Sequence, residues 1–81
     1  MQVYPNPAST ELRISASSMQ QGNYRIQLFD LTGKLVSDTA VYAAGERMEK
    51  TVVLPELANG QYIVALVSEH ETRRQTISIV H

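Results

Sequence analysis

The 81-residue chain contains no cysteine and no tryptophan. Without cysteine it can form neither a disulfide framework nor a thiolate metal site. That absence does not decide the compartment, because many exported bacterial proteins also lack disulfides. No charge of one sign dominates: the formal net charge is −1, which gives no electrostatic footprint for nucleic acid or an anionic membrane. No apolar run approaches the roughly 20 residues of a membrane-spanning helix, so no membrane insertion is expected. The opening MQVYPNP lacks the basic and apolar regions of a signal peptide, and Met1 reads as a start residue placed on an excised domain. No segment keeps a helical period over ten residues or more; the residues around Ala58 have room for one helical turn at most.

Histidine is also scarce. His70 lies between Glu69 and Glu71 in an expected hairpin tip, and His81 is the last residue. Hydrolysis by a nucleophile needs a base and an orienting group beside it, and no such set is present. Glu69, His70 and Glu71 are neighbours that point to alternate faces, which suits a shared metal ion badly. There are no paired carboxylates and no phosphate loop. The sequence therefore points away from an enzyme, and it implies no metal and no cofactor.

What is present is a folded chain of one small domain, residues 1–81, with 43% hydrophobic and 19% charged residues. A domain of this size buries only about 60% of its unfolded surface, so its core is thin. The strongest structural signal is Leu54 to Val67, LPELANGQYIVALV. Pro55 has no N–H for a sheet ladder and ends the strand before it. Asn59-Gly60 is a turn in which glycine tolerates positive φ. Tyr62, Val64 and Leu66 then alternate with Ile63, Ala65 and Val67, apolar on both faces, which predicts a central strand covered on both sides. Tyr62, just past a turn at the start of that strand, has the placement of a tyrosine corner, whose hydroxyl bonds back to upstream backbone.

The rest of the chain fits this frame. Pro5 and Pro7 push Tyr4 and Asn6 towards extended conformations and make a stiff opening segment. Leu12, Ile14 and Ala16 alternate with Glu11, Arg13 and Ser15 as a half-buried strand. Ser17 to Asn23 is a loop. Tyr24 to Asp30 follows as a strand, with Tyr24, Ile26 and Leu28 inward. Asp30-Leu31-Thr32-Gly33-Lys34 is a hairpin turn with Gly33 in the left-handed region. The return strand, Leu35 to Val41, carries Ser37, Asp38 and Thr39 and belongs at an edge or on an exposed face. A turn at Ala43 to Glu46 leads to a strand over Arg47 to Leu54, with Met48, Val52 and Leu54 of one parity and Lys50 near the rim. Glu69 to Thr72 turns the chain into a last strand, Arg73 to Val80, with Ile77 and Ile79 inward. Six or seven short strands separated by turn signals predict an all-β fold, an immunoglobulin-like antiparallel β-sandwich.

Parity leaves Tyr4, Phe29 and Tyr42 outside the clear core positions. Exposed aromatics stack on sugars or anchor protein partners; for Tyr4 and Phe29 the favoured reading is cover at the edges of the core. Arg73 and Arg74 admit two readings: docking on an acidic partner, or charges that keep an edge strand from aggregating.

Three stretches together resemble a known family. Tyr4-Pro5-Asn6-Pro7-Ala8-Ser9, followed by Leu12 and Ile14, is similar to the opening of the C-terminal sorting domain, type A, of the type IX (Por) secretion system of Bacteroidota. Ile26 to Val36, IQLFDLTGKLV, resembles its central motif, carried here by Asp30, Gly33 and Lys34. Leu54 to Val64, LPELANGQYIV, resembles its third motif, carried by Leu57, Gly60 and Tyr62. In order and at fitting spacing, the three span nearly the whole chain.

The resemblance implies a seven-stranded immunoglobulin-like sandwich that serves as a folded address at the C-terminus of an exported protein. Its implied partners are the type IX outer-membrane translocon, a sortase-like cysteine protease that removes the domain, and a covalently fused N-terminal cargo. The implied route runs through the periplasm to the cell surface or beyond. The absence of a signal peptide and the end of the chain one residue after the last strand fit a domain taken from the end of such a precursor. One position departs from the pattern. The family often has lysine just before the final apolar residues, and here either Arg74 supplies the charge or the place is taken by Gln75. Arg73 and Arg74 are the candidates for translocon recognition. Pro5, Asn6, Pro7, Asp30, Gly33, Lys34, Leu57, Gly60 and Tyr62 are expected to hold the presented shape. The competing expectation is an immunoglobulin-like accessory module that binds carbohydrate through Tyr42 or spaces domains on a cell-surface protein.

Overall fold

The computed structural model describes residues 1–81, folded as seven strands. In chain order they are β1 (Gln2–Tyr4), β2 (Glu11–Ala16), β3 (Gly22–Asp30), β4 (Leu35–Ala43), β5 (Met48–Val53), β6 (Gly60–Val67) and β7 (Thr72–Ile79). They form two sheets, a three-stranded one in the order β1-β2-β5 and a four-stranded one in the order β4-β3-β6-β7. Every ladder between these strands is antiparallel. This is the expected immunoglobulin-like sandwich. The extended opening segment goes further than its prolines predict: Gln2–Tyr4 pairs with β2 as a strand of its own.

The core follows from strand parity. In β2, Leu12, Ile14 and Ala16 are buried; in β3, Tyr24, Ile26 and Leu28; in β6, Tyr62, Val64 and Leu66; in β7, Ile77 and Ile79. Burying each aliphatic side chain of this size contributes about 1.5–3 kcal/mol relative to leaving it exposed. Met48, Val52 and Leu54 complete the opposite side, and Lys50 sits half-buried between them. Val3 at the centre of β1, Ala8 and Met19 in loops, and Ala43 at the end of β4 are also buried, although no run of alternation marks them.

The apolar run of β6 has a different explanation from the one its sequence suggests. Only one face is covered by the second sheet. On the other face Ile63 and Val67 are half-buried and Ala65 is buried, with no third layer over them. Their cover comes from within the sheet. Ala65 lies between Gln27 and Arg74, and Ile63 between Phe29 and Thr76. Side chains directly opposite stand close enough to shield a small residue without a second layer.

The four-stranded sheet begins at β4, an edge strand as expected. Its ladder with β3 slips between Leu28 and Phe29, whose partners are Ser37 and Leu35, so Val36 is an extra, bulged residue. Val36 packs against the core, which is why the bulge persists. At the far edge, β7 is joined by Ala8, which forms a parallel bridge with Ile79. The opening segment therefore leaves the first sheet after Tyr4 and crosses to the second.

Candidate functional site

The motif residues converge on one pole of the sandwich. Asp30 ends β3 and pairs with Tyr62, and Gly60 pairs with Ile79, whose outer neighbour is Ala8. The three stretches that stand far apart in sequence thus meet where β3 ends, β6 begins and β7 ends.

Each member has a physical task there. In the Asp30–Lys34 turn, the Asp30 Oδ1 accepts from the Thr32 N–H at 2.9 Å, from the Thr32 hydroxyl at 2.5 Å and from the Lys34 N–H at 3.0 Å. The backbone closes the turn with Gly33 N–H to Asp30 O and Asp30 N–H to Lys34 O, both at 3.0 Å. Gly33 has φ +89°, a left-handed conformation that side-chain-bearing residues adopt only at a cost. The hydrogen bond from the Thr32 hydroxyl, followed by the Lys34 N–H, holds the Asp30 carboxyl below its ordinary pKa. Lys34 contributes through its backbone and as a nearby positive charge.

The Tyr62 hydroxyl donates to the Ala58 carbonyl at 2.7 Å while the ring is buried. This is the expected tyrosine corner, and Leu57 packs against the core beneath it. Gly60 has φ +156°. The loop is further fastened by His81, whose N–H donates to Asn59 Oδ1 at 3.0 Å and whose ring Nε2 lies 2.7 Å from the Leu57 carbonyl. Pro5, Asn6 and Pro7 lie exposed where the chain changes sheets. Asn6 has a role that its turn-like context conceals: its Oδ1 accepts from the Ser78 N–H at 3.0 Å.

Arg73 and Arg74 do not join this pole, and they do not act alike. Arg73 lies near the opposite pole and points inward; its guanidinium donates to Ser17 O at 2.8 Å, Ser18 O at 3.0 Å and Glu71 at 3.1 Å. It ties β7 to the β2–β3 loop. Arg74 is exposed, pairs across the sheet with Ala65 and makes no ion pair.

Sequence parity missed a second tyrosine corner. The Tyr24 hydroxyl donates to Gln20 O at 2.9 Å, four residues upstream, as Tyr62 does to Ala58. Gly22 before Tyr24 echoes Gly60 before Tyr62 and was the available signal. Of the other aromatics, Phe29 lies on the outer face between Leu35 and Ile63, not at the rim of the core. Tyr42 is 55% exposed, its hydroxyl accepting from Gln21 Nε2 at 2.8 Å. It borders an open hollow of about 690 Å³ with Asn23, Arg25, Val67 and Glu69. His70 lies 3.6 Å from Glu69 at a solvated hairpin tip, and nowhere do three or more His, Asp or Glu side chains gather as a metal site.

Fold and geometry together define a class: an immunoglobulin-like module whose shared motif residues shape turns rather than assemble reacting groups. The chain belongs to the family described as the secretion system C-terminal sorting domain of the Por system, whose sequence model matches residues 2–80. It is accordingly a non-catalytic sorting domain, carried by way of the periplasm to the cell surface. Among solved structures it is similar to part of dimeric latent PorU from Porphyromonas gingivalis, with a TM-score of 0.70 and 18% identity. That match covers 98% of this chain and 9% of the PorU chain, and it shows a shared fold. No curated protein sequence matches.

Proposed function

We propose that this domain is the C-terminal address of a longer exported protein. It directs a cargo fused ahead of Met1 through the outer-membrane translocon and is then removed by a sortase-like cysteine protease. The observation that carries this reading is the polar arrangement of the molecule. The residues of the three family motifs gather at one pole, where Asp30 pairs with Tyr62, Gly60 pairs with Ile79, and Ala8 bridges to Ile79. Met1 emerges at the other: Gln2 pairs with Ser15, and Met1 lines a hollow with Ser17 and Arg47. A cargo attached there leaves the motif pole uncovered along the 34 Å length of the domain.

Within this reading Asp30, Gly33, Lys34, Leu57, Gly60 and Tyr62 hold the shape of the presented pole. Pro5, Asn6 and Pro7 guide the chain between the sheets. Arg74 is the better of the two arginine candidates for contact with the translocon, because Arg73 is already bonded within the domain. The experiment is to fuse a periplasmic reporter ahead of Met1 in a host with a Por secretion system. Surface delivery or release of the reporter is the expected result. Retention in the periplasm, with the domain folded, would sink the proposal.

A further inference from the structure

The β7 edge is only half covered, and the covered half shows what the open half can do. Beyond Ile77, the Ser78 N–H donates to Asn6 Oδ1 at 3.0 Å, the Ala8 N–H to Ser78 O at 2.9 Å and the Val80 N–H to Ala8 O at 2.8 Å. Ser78 and Val80 therefore turn their backbone groups away from β6. In an antiparallel ladder this orientation alternates residue by residue. Ser78 pairs with Gln61, so Thr76, Arg74 and Thr72, paired with Ile63, Ala65 and Val67, present their N–H and C=O groups to the same outer side. All three residues are exposed. Two of the other edges are less suited. The ladder at β4 is interrupted by its bulge, and β1 has three residues.

We infer that Thr72 to Thr76 is a strand-addition site, where an extended segment of a partner protein continues the sheet in line with Asn6–Ala8 and sets an acidic side chain against Arg74. The inference rests on the sorting role and gives it a mode of recognition: backbone hydrogen bonds for affinity and one charge for register. Charge complementarity selects the occupant. A second copy pairing antiparallel about Arg74 would place Arg74 opposite Arg74, and like charges directly opposed destabilise a pair. An acidic strand gains where the copy loses.

The test uses the reporter fusion with Arg74→Pro, which deletes an outward N–H without touching a β6 bond, and with Arg74→Glu. Proline is expected to lower export at least about tenfold, as for loss of one or two hydrogen bonds and their register, and Arg74→Glu to lower it too. Folding is checked by amide dispersion in NMR spectra, with Thr72→Pro as the second variant. If both proline variants fail to fold, those N–H groups belong to the ladder and the inference falls. Normal export of folded Arg74→Pro overturns strand addition while the sorting role stands. Normal export with Arg74→Glu overturns the acidic partner. Retention of the wild type overturns the sorting role and this inference with it. A dimer in sedimentation that Arg74→Pro abolishes would make the occupant a second copy, against the inference.

Discussion

Tyr62 and Tyr24 each fasten a buried ring to a carbonyl four residues upstream, Tyr62 to Ala58 and Tyr24 to Gln20. Removing one hydroxyl leaves a part-buried carbonyl without its donor, so Tyr62→Phe should cost about 0.5–1.5 kcal/mol. For a domain of this size that lowers the melting midpoint by about 4–8 °C per kcal/mol, and Tyr24→Phe should behave alike. Gly60 tests backbone rather than packing. No atom lies within 4 Å of where a Cβ would stand, so Gly60→Val carries no clash and its cost is that of its φ, on the order of 1–3 kcal/mol. An unchanged thermal melt would remove that turn assignment. Asp30 supplies a pH signature. Its folded carboxyl titrates below the ordinary value because the Thr32 hydroxyl, then the Lys34 N–H, bond the charged form. The contribution is therefore complete above the usual range near 4 and is lost as pH falls through the lower folded value. Asp30→Ala should melt below wild type at neutral pH, and the gap should close in acid. A gap constant down to the lowest accessible pH would contradict the assignment.

At the scale of elements, the two adjacent arginines of β7 separate into different jobs because a strand turns successive side chains to opposite faces. Arg73 faces inward and holds the β2–β3 loop through Ser17 and Ser18. Arg73→Met should loosen that loop, read as faster amide exchange at Met19, whose N–H bonds Glu46 O at 3.1 Å. Arg74→Ala should leave stability within about 0.5 kcal/mol of wild type, as for other exposed positions without partners. Equal effects of the two changes on Met19 exchange would refute the division. The same alternation explains β6. Its outer face is apolar because Ile63, Ala65 and Val67 pack beside their cross-strand neighbours, and a sequence run cannot distinguish that lateral cover from a covering layer.

For the whole molecule, the sandwich joins strands far apart in the chain: Ala8 meets Ile79, and Glu11 meets Val53. Such pairing must close long loops before it is rewarded, so folding should be cooperative and fall in the millisecond-to-second range. Stopped-flow refolding that finished within microseconds would contradict it. The poles are the functional consequence of this topology. Motif residues from the beginning, middle and last third of the chain form one end, and Met1 opens at the other.

Much of this was legible residue by residue. The period of two in Leu12–Ala16 and Tyr24–Leu28 determined which side chains are buried, because one face of a strand must leave water. Gly33 and Pro55 determined where strands stop and Gly60 where β6 begins, because their backbones permit or forbid what their neighbours cannot. Tertiary structure alone decided the rest. Nothing local shows that Asn6 bonds Ser78, that Arg73 reaches Ser17, or that β1 exists, since a three-residue strand is held only by its partner. Those facts depend on which strands become neighbours, and that is settled when two thin apolar faces find each other.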